Sequence, residues 1–169
     1  MDPTAFGGLK KSASSTVALV IAVIIALAVG PARAAGGLEI SPHAYARFDA
    51  IGNVAASINA QKFAEAYRTL HPLLESAFHQ LSNPDRSFDA VTARALQRIC
   101  DAPLRDRPPR LEHAARLYIF AEASLESLGP VEKALLRMGP RNTHLIQQAA
   151  RDIGTALGLQ LRNPPQAAQ

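Results

Sequence analysis

The feature that most constrains this chain is an unbroken apolar run near its N-terminus, because such a segment usually serves targeting rather than a globular core. The run extends from Val17 to Val29 and contains only Val, Ala, Leu and Ile. A polar leader with Lys10 and Lys11 precedes it. Pro31 ends it, since proline lacks an amide donor and clashes with the preceding helical turn. We therefore expect the run to lie outside the folded domain.

The residues after the run predict a cleaved signal peptide. Ala32-Arg33-Ala34 offers small side chains at the positions that a signal peptidase accepts, so we expect cleavage after Ala34. The 13 apolar residues are also fewer than the roughly 20 that span a hydrocarbon core. The alternative is an uncleaved inner-membrane anchor that uses Ser12 to Thr16 to lengthen the span. The sequence thus predicts a periplasmic or secreted protein, with a signal peptide at 1–34 and a linker at 35–40.

Composition favours helices for the rest of the chain. Aromatic residues make up 5% of the sequence and Trp is absent, so the core must consist of Leu, Ile, Val and Ala. A core rich in Ala suits closely spaced helices, and the alternation of Val, Ile, Thr and Tyr that is typical of strands is absent. We therefore predict an all-α fold.

From Ser41 onward, apolar residues recur at the three- and four-residue steps of amphipathic helices. Ser41 is a good N-cap with Pro42 at the first helical position. The predicted stripes are Tyr45, Phe48, Ile51, Val54 and Ile58; Phe63, Tyr67, Leu70, Leu74, Ala77 and Leu81; Val91, Ala95 and Ile99; Leu111, Ala114, Leu117, Ala121, Leu125 and Leu128; Val131, Leu135 and Met138; and Leu145, Ala149, Ile153, Ala156 and Leu157. With short connections, about six helices predict an antiparallel helical bundle or a short array of helical hairpins over residues 41–161, before a disordered tail at 162–169.

Proline, glycine and capping residues set the predicted helix boundaries. Pro72 interrupts the second stripe and predicts a kink or a restart of the helix. The other signals are a turn at Ser82–Asp85, a cap at Ser87 for a helix from Phe88 to Cys100, a loop at Asp101–Pro109, the pairs Gly129-Pro130 and Gly139-Pro140, and Asn142 or Thr143 as the last cap. These signals give each stripe a helix of its own.

Two predicted helical pairs share a residue pattern. The first pair contains Phe48, Ile51 and Gly52, then Phe63, Glu65, Ala66 and Leu70; the second contains Leu117, Phe120 and Ala121, then Gly129, Val131, Ala134 and Met138. This pattern is similar to that of tetratricopeptide repeats, and the copies lie 68 or 69 residues apart, about twice the repeat length. The first copy has two extra residues between its helices. Over roughly 60 residues, the resemblance implies a scaffold that binds peptides or proteins.

Charge argues against a nucleic-acid partner. The formal net charge is +4, but residues 1–34 hold three basic groups and one acidic group. Without them the chain carries 15 basic and 13 acidic groups, which are mixed along its length. We therefore expect neither a nucleic-acid partner nor, if the leader is removed, a membrane partner.

Residues with potential chemistry are few. Cys100 is the only cysteine, so it is either a buried thiol or the link of a homodimer. Five histidines are scattered and form no metal-binding motif: His43, His71, His79, His113 and His144. We accordingly predict no metal, no cofactor and no catalytic residue that the sequence identifies.

Two sets of charged residues could suggest a functional site but are more simply explained as surface charges. Glu122 and Glu126 would lie four apart on one side of the predicted fourth helix, where paired carboxylates are usually a solvated face. Arginines at 105, 107 and 110 are interspersed with acidic residues at 101, 106 and 112, which favours internal pairing or solvation over an anion site.

The sequence therefore favours a non-enzymatic helical interaction protein outside the cytoplasm, an accessory, adaptor or inhibitor subunit that binds a protein or peptide. The alternative is an envelope enzyme or small-ligand-binding protein whose site is assembled between helices. Its first candidates are Tyr67, His71, Tyr118 and Glu122, on the two strongest predicted helices.

Overall fold

The computed structural model describes residues 31–34, 37–81, 86–115 and 117–162, with 31–34 through their backbone. Its strands are β1 (Pro31–Ala34), β2 (Gly37–Ile40), β3 (Arg110–Ala114) and β4 (Leu117–Phe120). Its helices are α1 (Pro42–Ala46), α2 (Asp49–Ser57), α3 (Ala60–Leu81), α4 (Phe88–Cys100), α5 (Ala123–Glu126), α6 (Pro130–Met138) and α7 (Pro140–Leu157). Residues 1–30 of the predicted signal peptide, the turn at 82–85 and the tail from 163 lie outside the described residues.

The four strands form one antiparallel sheet in the order β1-β2-β3-β4, so the all-α prediction is wrong. β2 occupies residues 37–40, which the sequence suggested as a linker, and its Ile40 is 1% exposed. β2 joins β3 through two residue pairs, Leu38 with Leu111 and Glu39 with Arg110. The sheet thus connects the start of the domain to a hairpin seventy residues later in the chain.

That hairpin, β3 with β4, replaces most of the predicted fourth helix. Leu111 and Phe120 are paired across it and buried, whereas Arg110 and Glu112 on either side of Leu111 are exposed. This alternation is that of a half-buried strand. The run Leu117–Phe120 is short, and the periodicity of a short apolar run does not separate strand from helix. Helix in this region is confined to α5, and the described residues hold seven helices rather than about six.

Other predicted boundaries are confirmed. The Ser41 and Ser87 hydroxyls cap α1 and α4 by accepting the amides of Ala44 and Ala90. α4 begins and ends as predicted, and the segment 101–109 contains neither helix nor strand. α6 and α7 begin at the predicted prolines. Gly139 between them has φ 84°, a backbone conformation that favours glycine.

Some helix boundaries differ from the prediction. The first predicted stripe, Tyr45 to Ile58, is divided between α1, which ends at Ala46, and α2, which begins at Asp49. α3 has 22 residues and continues through Pro72, so the predicted restart of the helix at Pro72 is wrong. The first helical pair of the tetratricopeptide resemblance, α2 and α3, does form, whereas Leu117 and Phe120 of the second copy lie in β4. For the first pair, the resemblance stays a prediction.

Two apolar clusters make up the core. The first lies under the sheet and consists of Ile40, Ala44, Leu111, Phe120, Leu125 and Leu136. The second consists of Phe48, Ala102, Leu135 and Met138. Since Leu135 and Leu136 are neighbours on α6, this helix connects the two clusters. α7 packs beside it and also contacts α2, α3 and α4. Among the described residues, none of the helices has the length and apolar character to cross a membrane.

Candidate functional site

Helix α3 is the longest helix described and the least buried. The Asn59 side chain begins it by accepting the amide of Lys62 over 2.9 Å. Ala64, which is fully buried, is its one buried residue. Arg68, one turn further, donates to the carbonyl oxygen of Ala156 on α7. One narrow side of α3 therefore attaches it to the domain.

On the outward side, α3 carries an exposed apolar stripe, which we define as Phe63, Ala66, Leu70, Leu73, Ala77 and Leu81. Its four large residues are 42%, 51%, 69% and 75% exposed, in chain order. The spacing along the stripe alternates between three and four residues from Phe63 to Ala77. This is the spacing with which one helix packs against another.

The sequence predicted an apolar stripe on this helix but placed it differently. Phe63, Leu70, Ala77 and Leu81 belong to the exposed stripe, whereas Tyr67 and Leu74 are half-buried beside it. Ala66 and Leu73 were missed. Their signal is the run of alternating three- and four-residue steps, which the choice of Tyr67 and Leu74 obscured.

Polar side chains fill the seam between α3 and α4. We define the polar seam as Tyr67, His71, Glu75, His79 and Asp89. The Tyr67 hydroxyl donates to Asp89 Oδ1 over 2.6 Å, and burial together with this bond raises the pKa of Tyr67. Glu75 Oε2 accepts the amide of Phe88 over 2.8 Å, which satisfies an amide at the N-terminus of α4. His79 Nε2 lies 3.0 Å from Glu75 Oε1.

His71 is the least satisfied member of the seam. Its Nε2 lies 3.1 Å from Asp89 Oδ1 and 3.7 Å from Glu75 Oε2, but has no hydrogen-bond partner among the described residues. The histidines and carboxylates of the seam are 22–47% exposed, so they lie at the surface rather than in an enclosed pocket. In the part of the chain that the structure describes, three or more His, Cys, Asp or Glu residues nowhere form a group that could hold a metal ion. The hydrogen bonds of Tyr67 and Glu75 to residues of α4 show what the seam does: it joins α3 to α4.

In the described part of the chain, the buried polar residues lie on α7: Asn142, Thr143 and Gln147. Asn142 and Thr143 were predicted as alternative caps, but Gly139 is the N-cap and both side chains are 1% exposed inside the helix. Thr143 Oγ1 donates to the carbonyl of Leu135 over 2.6 Å. Asn142 Nδ2 lies 3.0–3.2 Å from three acceptors on neighbouring elements: Tyr45 O, Met138 O and Asp49 Oδ1. These contacts fix the start of α7 within the fold.

The candidates for an assembled catalytic site do not come together as one site. Tyr67 and His71 lie in the polar seam. Tyr118 lies on β4 beside the first core cluster, with its ring centroid 4.5 Å from that of His113. Glu122 precedes α5 and pairs with Arg105 over 2.6 Å. The four residues thus belong to two regions, α3 with α4 and the end of the sheet.

The predicted carboxylate pair has two separate structural roles. Glu122 and Glu126 do not share a helix face, because α5 has only four residues and Glu122 lies before it. Glu126 accepts from Lys133 over 2.8 Å and from the amide of Phe120 over 2.9 Å. Arg105, the first arginine of the proline-rich loop, pairs internally with Glu122, in line with the plainer interpretation.

Cys100 is 2% exposed at the end of α4, and burial raises the pKa of its thiol despite the nearby Arg151. Both properties lower thiolate reactivity and favour the buried-thiol interpretation. The homodimer through Cys100 stays a prediction. His43, His113 and His144 are exposed.

A protein-family model described as "Protein of unknown function (DUF3014)" matches residues 17–154. This chain belongs to the DUF3014 family. No curated protein and no solved structure matches it.

The DUF3014 match includes every residue of the apolar stripe and of the polar seam. It starts at Val17, the first residue of the apolar run, and ends at Gly154 within α7. The leader's apolar run is therefore part of the sequence that defines the family.

Proposed function

We propose that this protein is a non-enzymatic interaction protein, exported from the cytoplasm, that binds an apolar helix of a partner protein along the apolar stripe of α3. The observation that carries the proposal is the concentration of exposed apolar side chains. Among the described residues, ten large apolar side chains are exposed, and four of them form the stripe on α3. Three more, Ile51, Val54 and Ile58, lie on α2 or directly after it. Such concentrations of exposed apolar surface are typical of interaction sites.

The chemistry of the stripe selects the kind of partner. Its six residues carry no charge and no hydrogen-bonding group, so they offer nothing to a phosphate or a polar small molecule. Ala66 and Ala77 lie on either side of Leu70 and Leu73 along the stripe, and small side chains allow a second helix to approach closely. Residues 63 to 81 cover about 27 Å at 1.5 Å per residue, the length of a five-turn helix. An amphipathic helix of another protein could pack along this surface, as paired helices do in a coiled coil.

The alternative function, an envelope enzyme or small-ligand-binding protein, would need polar groups around a shared cavity. In the polar seam, Glu75 and Asp89 are engaged with residues of α3 and α4 at hydrogen-bond distance. This engagement favours a structural role for the seam and supports the binding proposal over the enzymatic one.

Photo-crosslinking tests the proposal directly. A photoreactive amino acid is placed at Leu73 in the stripe and, as the matched control, at Leu117 on β4; these side chains are 69% and 66% exposed. After irradiation in intact cells, the Leu73 position is expected to give one discrete adduct with a second protein. The Leu117 position is expected to give none.

Paired substitutions make the result specific. Leu70→Glu is added to the Leu73 crosslinking chain, and Leu104→Glu, outside the stripe at 48% exposed, serves as its control. We expect the first substitution to lower the adduct at least tenfold and the second to leave it unchanged. An adduct with the mass of two copies of this chain would mean that the stripe binds a second copy of the chain and not another protein, which contradicts the proposed partner. No adduct at Leu73, or one that survives Leu70→Glu, contradicts the proposal.

A further inference from the structure

The N-terminal boundary of the fold lies inside the predicted signal peptide. β1 consists of residues 31–34, which contain the predicted cleavage motif, and all four residues pair with β2. The register sets Pro31 opposite Ile40 and Ala34 opposite Gly37. Cleavage after Ala34 would therefore cut between two paired strands and remove one of them.

Loss of β1 would remove a neighbour of β2, which has few other contacts within the sheet. β2 is held to β3 through two residue pairs only, yet it carries Ile40 of the first core cluster. Without β1, the backbone amides and carbonyls of β2 on that side would have no ladder partners. The backbone hydrogen bonds of β2 are thus complete on this side only while residues 31–34 remain attached.

The leader itself has the dimensions of an anchor. Nineteen uncharged residues, Ser12 to Gly30, lie between Lys11 and β1. A helix of that length measures about 28 Å, close to the roughly 30 Å of a hydrocarbon core. Lys10 and Lys11 before the stretch favour an orientation with the N-terminus in the cytoplasm. The family match begins at Val17 and so includes the apolar run together with the domain.

From these observations we infer that the leader is retained, crosses the membrane, and is joined to the sheet by β1. The sequence leaves open a cleaved signal peptide and an uncleaved inner-membrane anchor, and this inference selects the anchor. Because β1 begins at Pro31, directly after the uncharged stretch, no spacer separates the sheet from the membrane surface. The domain is held at the outer face of that membrane, where the stripe meets partners in or near the bilayer. The inference does not depend on the identity of the partner.

The first test compares the full chain with a variant that no signal peptidase would accept. Both carry a C-terminal tag and are expressed in a bacterial host, and the variant is Ala34→Phe, which places a large residue directly before the cut. We expect both proteins to keep Met1, to differ in mass by the substitution alone, and to be recovered in the membrane fraction after alkaline extraction. A wild-type protein shorter than the variant, or one found in the soluble periplasmic fraction, overturns the inference while leaving the binding proposal intact.

The second test examines β1 in the full chain. Ala32→Pro with Arg33→Pro removes two adjacent amides, and adjacent residues of an antiparallel strand alternate in bonding to the neighbour. In detergent-solubilised protein we expect the unfolding midpoint to fall by about 4 °C. The control, Ala167→Pro with Ala168→Pro, lies after α7 and is expected to leave the midpoint unchanged. An unchanged midpoint in the β1 variant overturns the role of β1.

Discussion

Helices α3 and α7 are the two longest in the described part of the molecule, and they differ in what they bury. α7 has 18 residues and buries seven of them, including three polar side chains. α3 has 22 residues and buries Ala64 alone. Both are amphipathic in sequence. Only α7, however, has neighbours on several sides, because α2, α3, α4 and α6 all pack against it.

The difference teaches that amphipathic sequence and burial are separate properties. The apolar side of α7 is covered within the chain and is held in register by hydrogen bonds from its buried amides. The apolar stripe of α3 is instead exposed and contributes little to the fold, and it is the surface to which the proposed partner would bind. Stability should therefore depend strongly on α7, and binding on α3.

Among the polar residues of α7, the largest effect on stability is expected at Asn142. Asn142→Ala removes the donor for the carbonyl oxygens of Tyr45 and Met138 and for the Asp49 carboxylate. Asn142 is 1% exposed, so its truncation removes these hydrogen bonds and leaves a cavity in the interior. Tyr45 O and Asp49 Oδ1 each keep a second donor, the Phe48 amide and the Arg141 guanidinium. We expect the free energy of unfolding to fall by about 3 kcal/mol. The matched control is Asn53→Ala, because Asn53 is exposed and accepts from Arg141 at the surface. Urea unfolding should separate the two variants, and equal losses would contradict the assignment.

A second polar residue of α7 should show a smaller loss. Gln147 is 5% exposed, and its amide nitrogen lies within 3.2 Å of the carbonyl oxygens of Ile99, Cys100 and Ala102, where α4 ends. Gln147→Leu keeps the size of the side chain but removes this donor from all three carbonyls, of which that of Ile99 still accepts the Ala102 amide. We expect a cost of about 2 kcal/mol.

The neighbouring Gln148→Leu is the control for this substitution. Gln148 is exposed and donates to Asp152 on its own helix, so its replacement should cost under about 0.5 kcal/mol. Thermal unfolding of both variants provides the measurement. A loss at residue 148 as large as that at 147 would show that α7 is not anchored to α4 by the buried amide.

An ion pair beneath the sheet should make the packed region sensitive to acid. Burial acts to raise the pKa of Glu126, but the Lys133 ammonium and the amide of Phe120 outweigh it, so the pKa is lowered. A carboxyl group with a lower pKa in the folded chain stabilises it above the unfolded pKa, and this contribution is lost as pH falls through the folded value. We expect Glu126→Gln to cost about 1 kcal/mol at pH 7.

The stability difference between wild type and Glu126→Gln should begin to shrink below about pH 5. Denaturant unfolding from pH 7 to pH 3 measures it. Glu112→Gln, on the exposed side of β3, is the control at pH 7 and should change stability by under about 0.5 kcal/mol. A difference that stays constant with pH would mean that Glu126 acts through packing instead of charge.

Local signals in the sequence predicted those elements whose formation depends on neighbouring residues. Ser41, Ser87 and the Gly-Pro pairs mark helix ends through caps and dihedral preferences, and the corresponding boundaries of α1, α4, α6 and α7 were confirmed. The sheet could not be predicted in this way. β2 pairs with β3 across seventy residues, and no local pattern specifies such a partner.

The candidate site was predictable in part for the same reason. The apolar stripe is visible in the sequence, because spacing alone places Phe63, Leu70 and Ala77 on one side of a helix. Its exposure is not visible, since that depends on how much of α3 the neighbouring helices cover. The buried positions of Asn142 and Gln147 are likewise set by distant carbonyls. For this reason the sequence suggested Asn142 only as a cap and gave no signal for Gln147.

The smallest effect on stability is expected on α3, where Leu73→Ala should change the free energy of unfolding by under about 0.5 kcal/mol because the side chain is 69% exposed. Ile153→Ala on α7, 9% exposed, is the counterpart and should cost about 3 kcal/mol. Urea unfolding of dilute, purified protein measures both, and the crosslinking yield measures binding. Leu73→Ala should then lose binding while keeping stability. If it instead lost more than about 1.5 kcal/mol, in a way that depended on protein concentration, the stripe would be covered by a second copy of the chain. A loss independent of concentration would place Leu73 inside the monomer's core, and the contrast between the two helices would no longer hold.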